Sequence, residues 1–258
     1  MYLVTSMAHY LACYILLPIY FTFWLIYGSR NLFCGLLSNH SYCTSYTSID
    51  CLVTCHARII NYNDESKRVS DILHSIDSIL NSSDSFVQIN TITVIDDSSS
   101  DILKSIVSSR YPAVKIISSF KLLQQLQLLL PGNKGFGESC KLITFMLTQR
   151  SSRSFIKLSG RYFVDSTLFN RIKTSIGCEK FLLKYSSKNS ISTRLYYVPS
   201  NHFYLFVFSH IFALFFSVFN LSLESILFRF IPPWNIHYVD KLGVFGHIQL
   251  HDGVWIAE

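Results

Sequence analysis

The sequence predicts an α/β domain built on a mostly parallel sheet flanked by helices, with a hydrophobic helix at its N-terminus. Three observations predict it. Apolar strand-like runs alternate twice with stretches whose apolar residues recur at spacings of three and four, the pattern of strand–helix–strand units with right-handed crossovers. One of those runs, residues 91–101 (TITVIDDSSSD), ends in two aspartates followed by small hydroxylated residues. The first 29 residues carry no Asp, Glu, Lys or Arg.

A chain of 258 residues can build one sizeable domain. Half of its residues are hydrophobic and 15% are charged, whereas an average soluble domain is about a quarter charged. Part of the chain is therefore expected in or on a membrane. The net charge of +6 suits an anionic membrane surface or a phosphate-bearing substrate. Its basic residues are scattered and form no dense stripe, which argues against nucleic acid. Seven cysteines without a regular framework read as reduced thiols. Cys51 and Cys55 lack a second pair at zinc-ligand spacing, so no metal is expected on them.

Residues 10–27 (YLACYILLPIYFTFWLIY) approach the length that spans a bilayer core. Segment 1–29 is read as a single-pass transmembrane or membrane-anchoring segment, with a buried helix as the alternative. It lacks the basic start and cleavage site of a signal peptide. Arg30, Arg58, Lys67 and Arg68 place the C-terminal portion on the cytoplasmic side. Residues 30–48 then read as a linker and 49–258 as the main domain.

The first strand is expected over 50–55. Val69, Ile72, Leu73, Ile76, Ile79 and Leu80 share one face of a following helix. A second strand covers 88–95 and stops where serine and aspartate replace β-branched residues. Asp101 is the expected N-cap of the next helix, and 114–118 a third strand. The leucine and glutamine run at 122–130 fits helix or strand equally. Residues 155–164 (FIKLSGRYFV) read as a strand interrupted at Ser159, Gly160 and Arg161. The charge-free stretch 195–223 is expected to be a buried or membrane-skimming helix rather than a second span, starting near Pro199 and Asn201. His202 and His210 within it, eight apart, suit a core better than a metal. Glycines 243, 246 and 253 mark turns in the tail.

The candidate site follows from strand ends. In open α/β sheets ligands bind beyond the carboxyl ends of strands, where Asp96 and Asp97 would lie. The loop PGNKGFGES leads into a helix, and backbone amides that open a helix are a ready phosphate site, with Lys134 adding charge. The motif matches neither the P-loop nor the dinucleotide fingerprint, and as a bare pattern it also fits an ordinary turn. Arg161 could clamp a phosphate or carboxylate, or sit solvated on a surface loop.

Taken together, residues 51–80 and INTITVIDDSSSDIL resemble the nucleotide-binding half of GT-A fold glycosyltransferases, whose second strand ends in Asp-Asp-Gly-Ser-x-Asp. Asp96, Asp97 and Asp101 match, and Ser98 stands where glycine is usual. GNKGFGE, KLSGRYF and the closing IPPWNIHYVDKLGVFGHI resemble motifs of bacterial lipopolysaccharide and capsule proteins of the WavE type. The resemblance implies transfer of a sugar from a nucleotide-sugar donor to a glycan or lipid-linked acceptor. Asp96, Asp97 and Asp101 would hold the nucleoside, and Lys134 and Gly135 would face the diphosphate. Ser159, Gly160 and Arg161 stand where many GT-A enzymes carry the Asp-x-Asp that coordinates Mg²⁺ or Mn²⁺. The acidic pair is absent, so transfer without a firmly held metal is expected, with Arg161 neutralising the leaving diphosphate. Glu138, Asp165 and Asp240 are the candidate catalytic bases. A nucleotidylyltransferase would need a glycine-rich, arginine-containing loop after the first strand, which residues 56–63 do not provide. A non-catalytic, membrane-anchored protein that keeps the fold is the alternative from another class.

Overall fold

The structure, a computed structural model, describes residues 47–56, 65–83, 86–98, 100–128, 134–148, 153–187, 190–217, 222–248 and 254–257, together with Pro18. The chain opens with β1 (Thr47–Cys55), α1 (Glu65–Ser82), β2 (Val87–Asp96), α2 (Asp101–Arg110) and β3 (Lys115–Ile117). It continues through α3 (Lys121–Leu128), α4 (Lys134–Thr148), β4 (Phe155–Ser159), β5 (Tyr162–Val164) and α5 (Ser166–Cys178). Four short strands follow: β6 (Phe181–Leu183), β7 (Tyr185–Ser187), β8 (Ser190–Ile191) and β9 (Leu195–Val198). Helices α6 (Phe203–Ser217) and α7 (Leu223–Phe230) lead to β10 (Ile236–Tyr238), β11 (Val244–Ile248) and β12 (Val254–Ala257).

Seven strands form the central sheet in the order β10-β6-β9-β4-β1-β2-β3. β1 pairs in parallel with both β2 and β4, while β9 runs antiparallel to β4 and β6. The chain moves outward from β1 to β2 and β3, then returns through α3 and α4 to lay β4 on the other side of β1. That reversal leaves a crevice between the carboxyl ends of β1 and β4, where an open sheet takes its ligands.

Alternation along β1 feeds a core on each face. Ile49, Cys51 and Val53 join Ile72 and Ile76 of α1, Leu103 of α2 and Leu168 of α5. Leu52 faces the other way, toward Phe145 of α4, Phe206 of α6 and Leu227 of α7. The sheet thus lies between two helical layers.

The paired strand–helix–strand units and the mostly parallel sheet are as expected, and several details differ. β1 begins at Thr47, inside the expected linker, because residues 47–49 already pair with β2. The run at 122–130, open to helix or strand, is helical over Lys121–Leu128. Ser100, not Asp101, caps α2: its hydroxyl accepts from the Leu103 amide at 3.1 Å, and Asp101 is the first helical residue. The interrupted strand at 155–164 is two strands in different sheets, since β5 pairs with β11. Gly160 makes the break, as a Cβ there would lie 3.0 Å from Cys55 Cβ and 3.1 Å from Val53 Cγ1. The charge-free stretch holds strand β9 before the expected helix, and Gly246 lies inside β11 rather than in a turn. Gly243 does turn the chain, at φ +72°.

The expected anchor at 1–29, Pro18 apart, and the linker up to residue 46 lie outside the described residues, as does Gly253. No helix of the described residues is long and apolar enough to cross a membrane. α6 has 15 residues, about 22 Å of helix against a core of about 30 Å.

His202 and His210 are core residues. His202 stacks on Phe181 with ring centroids 5.1 Å apart, and His210 Nδ1 donates to the Phe206 carbonyl at 3.0 Å. Burial pushes each down to about 4. The folded protein therefore holds them neutral, whereas an unfolded chain protonates them below about pH 6.5. Their contribution is complete above that value and is lost as pH falls toward 4, at about 1.4 kcal/mol per pH unit for each ring. Urea midpoints should accordingly fall between pH 7.5 and 5.5, and His210→Asn should flatten that dependence. An unchanged slope would mean that His210 already carries its proton in the folded state.

Candidate functional site

α4 leads into β4 from the opposite end of the sheet, so its first turn lies at the carboxyl edge above the β1/β4 crevice. One contact fixes it there: Thr54, next to last in β1, donates to Glu138 Oε1 at 2.8 Å.

The two aspartates that end β2 are held by the chain around them. Asp96 is buried, and its carboxylate accepts from the Ser98 amide (3.2 Å), the Ser98 hydroxyl (2.6 Å) and the Ser100 amide (3.2 Å). Ser98, in the place of a glycine, thus clamps the turn. Asp97 accepts from the Ser119 amide at 2.7 Å and the Ser119 hydroxyl at 2.9 Å, tying the end of β2 to the exit of β3. Glu65 at the start of α1, which sequence reasoning did not single out, accepts from the Ser100 hydroxyl at 2.5 Å.

The floor of the crevice contains a buried charge. Lys157 sits in the middle of β4 with its side chain 1% exposed, ion-paired with Glu138. Its ammonium also donates to Ser159 Oγ at 2.8 Å and to the Thr193 carbonyl. The Tyr196 ring lies 5.6 Å below it. Thr193 in turn donates to Glu224 Oε1 of α7 at 2.9 Å. Burial pushes the lysine down and Glu138 opposes the shift. For Glu138, burial acts upward, but Lys157, Lys141 and the bonds from Lys157 and Thr54 outweigh it and hold the carboxyl below its usual range. A carboxylate so committed is a poor proton acceptor.

One turn along α4, Lys141 is 7% exposed and has no hydrogen-bond or ion-pair partner among the described residues. It faces the end of β1. His56 is pushed down by burial and then by the Lys141 charge. The same charge opposes the burial that raises the Cys55 thiol. Neither Lys141 nor Lys157 was legible as a site residue; an inward-facing lysine in FIKLS was the one available sign of the second.

Lys134 is exposed at the first position of α4, with Gly135 behind it. Ser159 ends β4, and Arg161 is exposed at the turn, its guanidinium 5.5 Å from the centroid of the Tyr162 ring. Arg194 lies 5.8 Å from the same ring, and its carbonyl accepts from the Ser159 amide at 2.9 Å. A hydroxyl that already accepts from the Lys157 ammonium, two residues from Arg161, does not fit a hard divalent cation, which takes carboxylate oxygens. Among the described residues no three His, Cys, Asp or Glu side chains gather to hold a metal.

The remaining two carboxylates lie apart. β5 runs down α1 away from the crevice, with the Ser75 hydroxyl donating to the Tyr162 carbonyl (2.6 Å) and the Val164 amide donating to Ser78 Oγ (3.1 Å). Asp165 follows and caps α5, accepting from the Thr167 amide at 2.8 Å. Asp240 is exposed just past β10, three strands or about 14 Å from β4. The structure thus brings Asp96, Asp97, Lys134, Gly135, Glu138, Ser159, Gly160 and Arg161 to one edge of the sheet, with Asp101 opening α2 beside them. It does not bring Asp165 there.

Neither a family model nor a curated protein sequence matches the chain. Its fold is similar to that of the galactosyltransferase LgtC in complex with donor and acceptor sugar analogues, at a TM-score of 0.50 and 9% identity over 74% of this chain and 73% of that one. An active-site mutant of LgtC gives 0.51 and 9% over 74% and 72%. The inositol-1-phosphate CTP transferase from T. maritima gives 0.47 and 9% over 83% and 89%. At this identity the first two likenesses speak to fold, a mostly parallel sheet flanked by helices of the GT-A type.

Two stability measurements separate positioning from chemistry. Asp165→Ala should cost about 1 kcal/mol through loss of the cap, read as a lower urea midpoint; an unchanged midpoint would show that the cap does not hold α5. Glu138→Gln should cost roughly 3 kcal/mol by stranding Lys157, and Glu138→Gln with Lys157→Met should recover part of it. Additive losses in that cycle would show that the pair is not coupled.

Proposed function

We propose that the protein is a glycosyltransferase that moves a sugar from a nucleotide-sugar donor to a glycan or lipid-linked acceptor. Its motifs resemble proteins of the WavE type, which points to envelope polysaccharide synthesis on a domain held at the cytoplasmic face by segment 1–29. The observation that carries the reading is Lys141, a largely buried lysine with no hydrogen-bond or ion-pair partner among the described residues, beside the crevice where β1, β2 and β4 end and α4 begins. Glu138, one turn back on α4, feels the Lys141 charge but is bonded to Lys157 and Thr54, so a diphosphate would give Lys141 an anion of its own.

On this reading the Asp96–Asp97 turn, with Asp101 behind it, receives the nucleoside. The opening amides of α4 at Lys134 and Gly135 join Lys141 on the diphosphate. As the bond from the anomeric carbon to the diphosphate breaks, Arg161 balances the charge that develops on the leaving group. Of the three candidate bases, Glu138 and Asp165 are committed to other bonds, and Asp240 is exposed but three strands from β4. The turn after β4 has no acidic pair, and that feature also fits a second reading, an anchored protein that keeps the fold without the activity.

A titration of the solubilised full chain with UDP, GDP, CDP and dTDP, with and without Mn²⁺, decides between them. One nucleotide should bind, and Lys141→Met should weaken it at least tenfold, about 1.4 kcal/mol. Asp97→Ala should abolish turnover. Turnover should survive EDTA; complete loss restored by Mn²⁺ would overturn metal-free transfer, and binding of none of the four would favour the non-catalytic reading.

A further inference from the structure

The two helical layers present different surfaces. On the side of α1, α2 and α5 the exposed residues mix both signs, including Lys67, Asp101, Lys104, Arg110 and Arg171, and the exposed large apolar side chains are Leu80 and Ile102. Apolar residues scattered in this way are ordinary on a soluble surface. On the side of α3, α4 and α6 the exposed apolar side chains are Leu122 (67%), Leu126, Leu147 (62%), Tyr204 (59%), Phe208 and Phe215 (55%).

These residues follow helical spacing. Tyr204, Phe208 and Phe215, with the part-buried Ile211 between them, form one outward stripe on α6, while Phe203, Phe206, His210 and Ala213 face the core. Leu122 and Leu126 repeat the spacing on α3. The charges on this side are as uneven as the apolar surface. α3 and α6 contain no acidic residue, and the single acid of α4, Glu138, turns inward to Lys157. Lys121 and Lys134 are exposed.

We infer that the α3–α4–α6 face lies on an anionic bilayer, with Phe208, Phe215 and Leu122 at the boundary of headgroups and acyl chains and Lys121 and Lys134 against lipid phosphates. An apolar stripe flanked by lysine, on helices that expose no acid of their own, is the surface that anionic lipid complements. Two other occupants fit less well. A second copy meeting the same face would oppose lysine to lysine with no acid between them. The apolar segment 10–27 would cover the stripe but has no charge to meet those lysines. The inference stands independently of sugar transfer, because it uses no residue of the crevice except Lys134 at its rim.

The test places single tryptophans in the full chain, reconstituted into phosphatidylcholine vesicles with or without phosphatidylglycerol, whose acyl chains carry bromine near the headgroup end. Each variant is first checked for fold by circular dichroism and read against the parent, which has tryptophans of its own. Phe208→Trp, Phe215→Trp and Leu122→Trp should be quenched by the brominated lipid, more strongly with phosphatidylglycerol, and shielded from acrylamide. Leu80→Trp and Ile102→Trp should show the reverse. Lys121→Glu should reduce the gain from phosphatidylglycerol. Acrylamide access at 208 and 215 would overturn the inference. So would shielding without bromine quenching, since segment 10–27 or a second copy would then cover the face.

Discussion

The charge on Lys157 is the constraint around which the rest of the molecule is arranged. An ammonium in the middle of a central strand cannot be left without partners, and those partners come from elements far apart in the chain. Glu138 reaches it from α4, Ser159 from the end of its own strand, the Thr193 carbonyl from the loop before β9, and the Tyr196 ring from β9. Thr54 ties the same Glu138 to β1, and Glu224 extends the network to α7. A well-packed apolar pair at this place would often be as stable or more so. What the ionic arrangement adds is direction, because hydrogen bonds to fixed acceptors admit one orientation of α4 over β1 and β4.

The half of the fold that follows strict local rules was legible. Residues 69–80 show a helical period and residues 91–95 a β-branched run, and the structure gives α1 and β2 there. The other half was hidden because tertiary context chose between equal local options. Leu195–Val198 has the same greasy composition as the helix after it, and it becomes β9 because its edges pair with β4 and β6. The run from 155 to 164 keeps strand character throughout, yet Gly160 packs so closely on Cys55 and Val53 that the chain must leave the sheet and join β11. Asp101 reads as a cap from residue type, yet it is the Ser100 hydroxyl that takes the Leu103 amide.

The site was legible in part for a similar reason. Strand ends locate a crevice without any knowledge of its contacts, so Asp96, Asp97 and the α4 entry could be placed from sequence. Commitment could not be. Asp165 and Glu138 read as free carboxylates until Thr167, Lys157 and Thr54 are seen bonded to them. Lys141 reads as one of many scattered cations until its burial, with no hydrogen-bond or ion-pair partner among the described residues, is seen.

On the proposed reading, the missing acids after β4 and the buried lysine of α4 are two parts of one electrostatic solution. Glu138 and Lys157 cancel each other, Asp96 accepts from amides and a hydroxyl of its own turn, and Asp97 accepts from the Ser119 amide and hydroxyl past β3. Among the described residues, the cations around the crevice include Lys134, Lys141 and Arg161. A unit positive charge about 10 Å from a divalent ion opposes it by about 3 kcal/mol at an effective dielectric near 20. Several such charges favour a diphosphate over a divalent cation beside β4, while Asp96 and Asp97, bonded to neutral donors, keep their charge at the end of β2. Placing Asp-x-Asp at 159–161 would therefore not be enough to make a metal site, because Lys134 and Lys141 would still compete with the ion for the same phosphate oxygens.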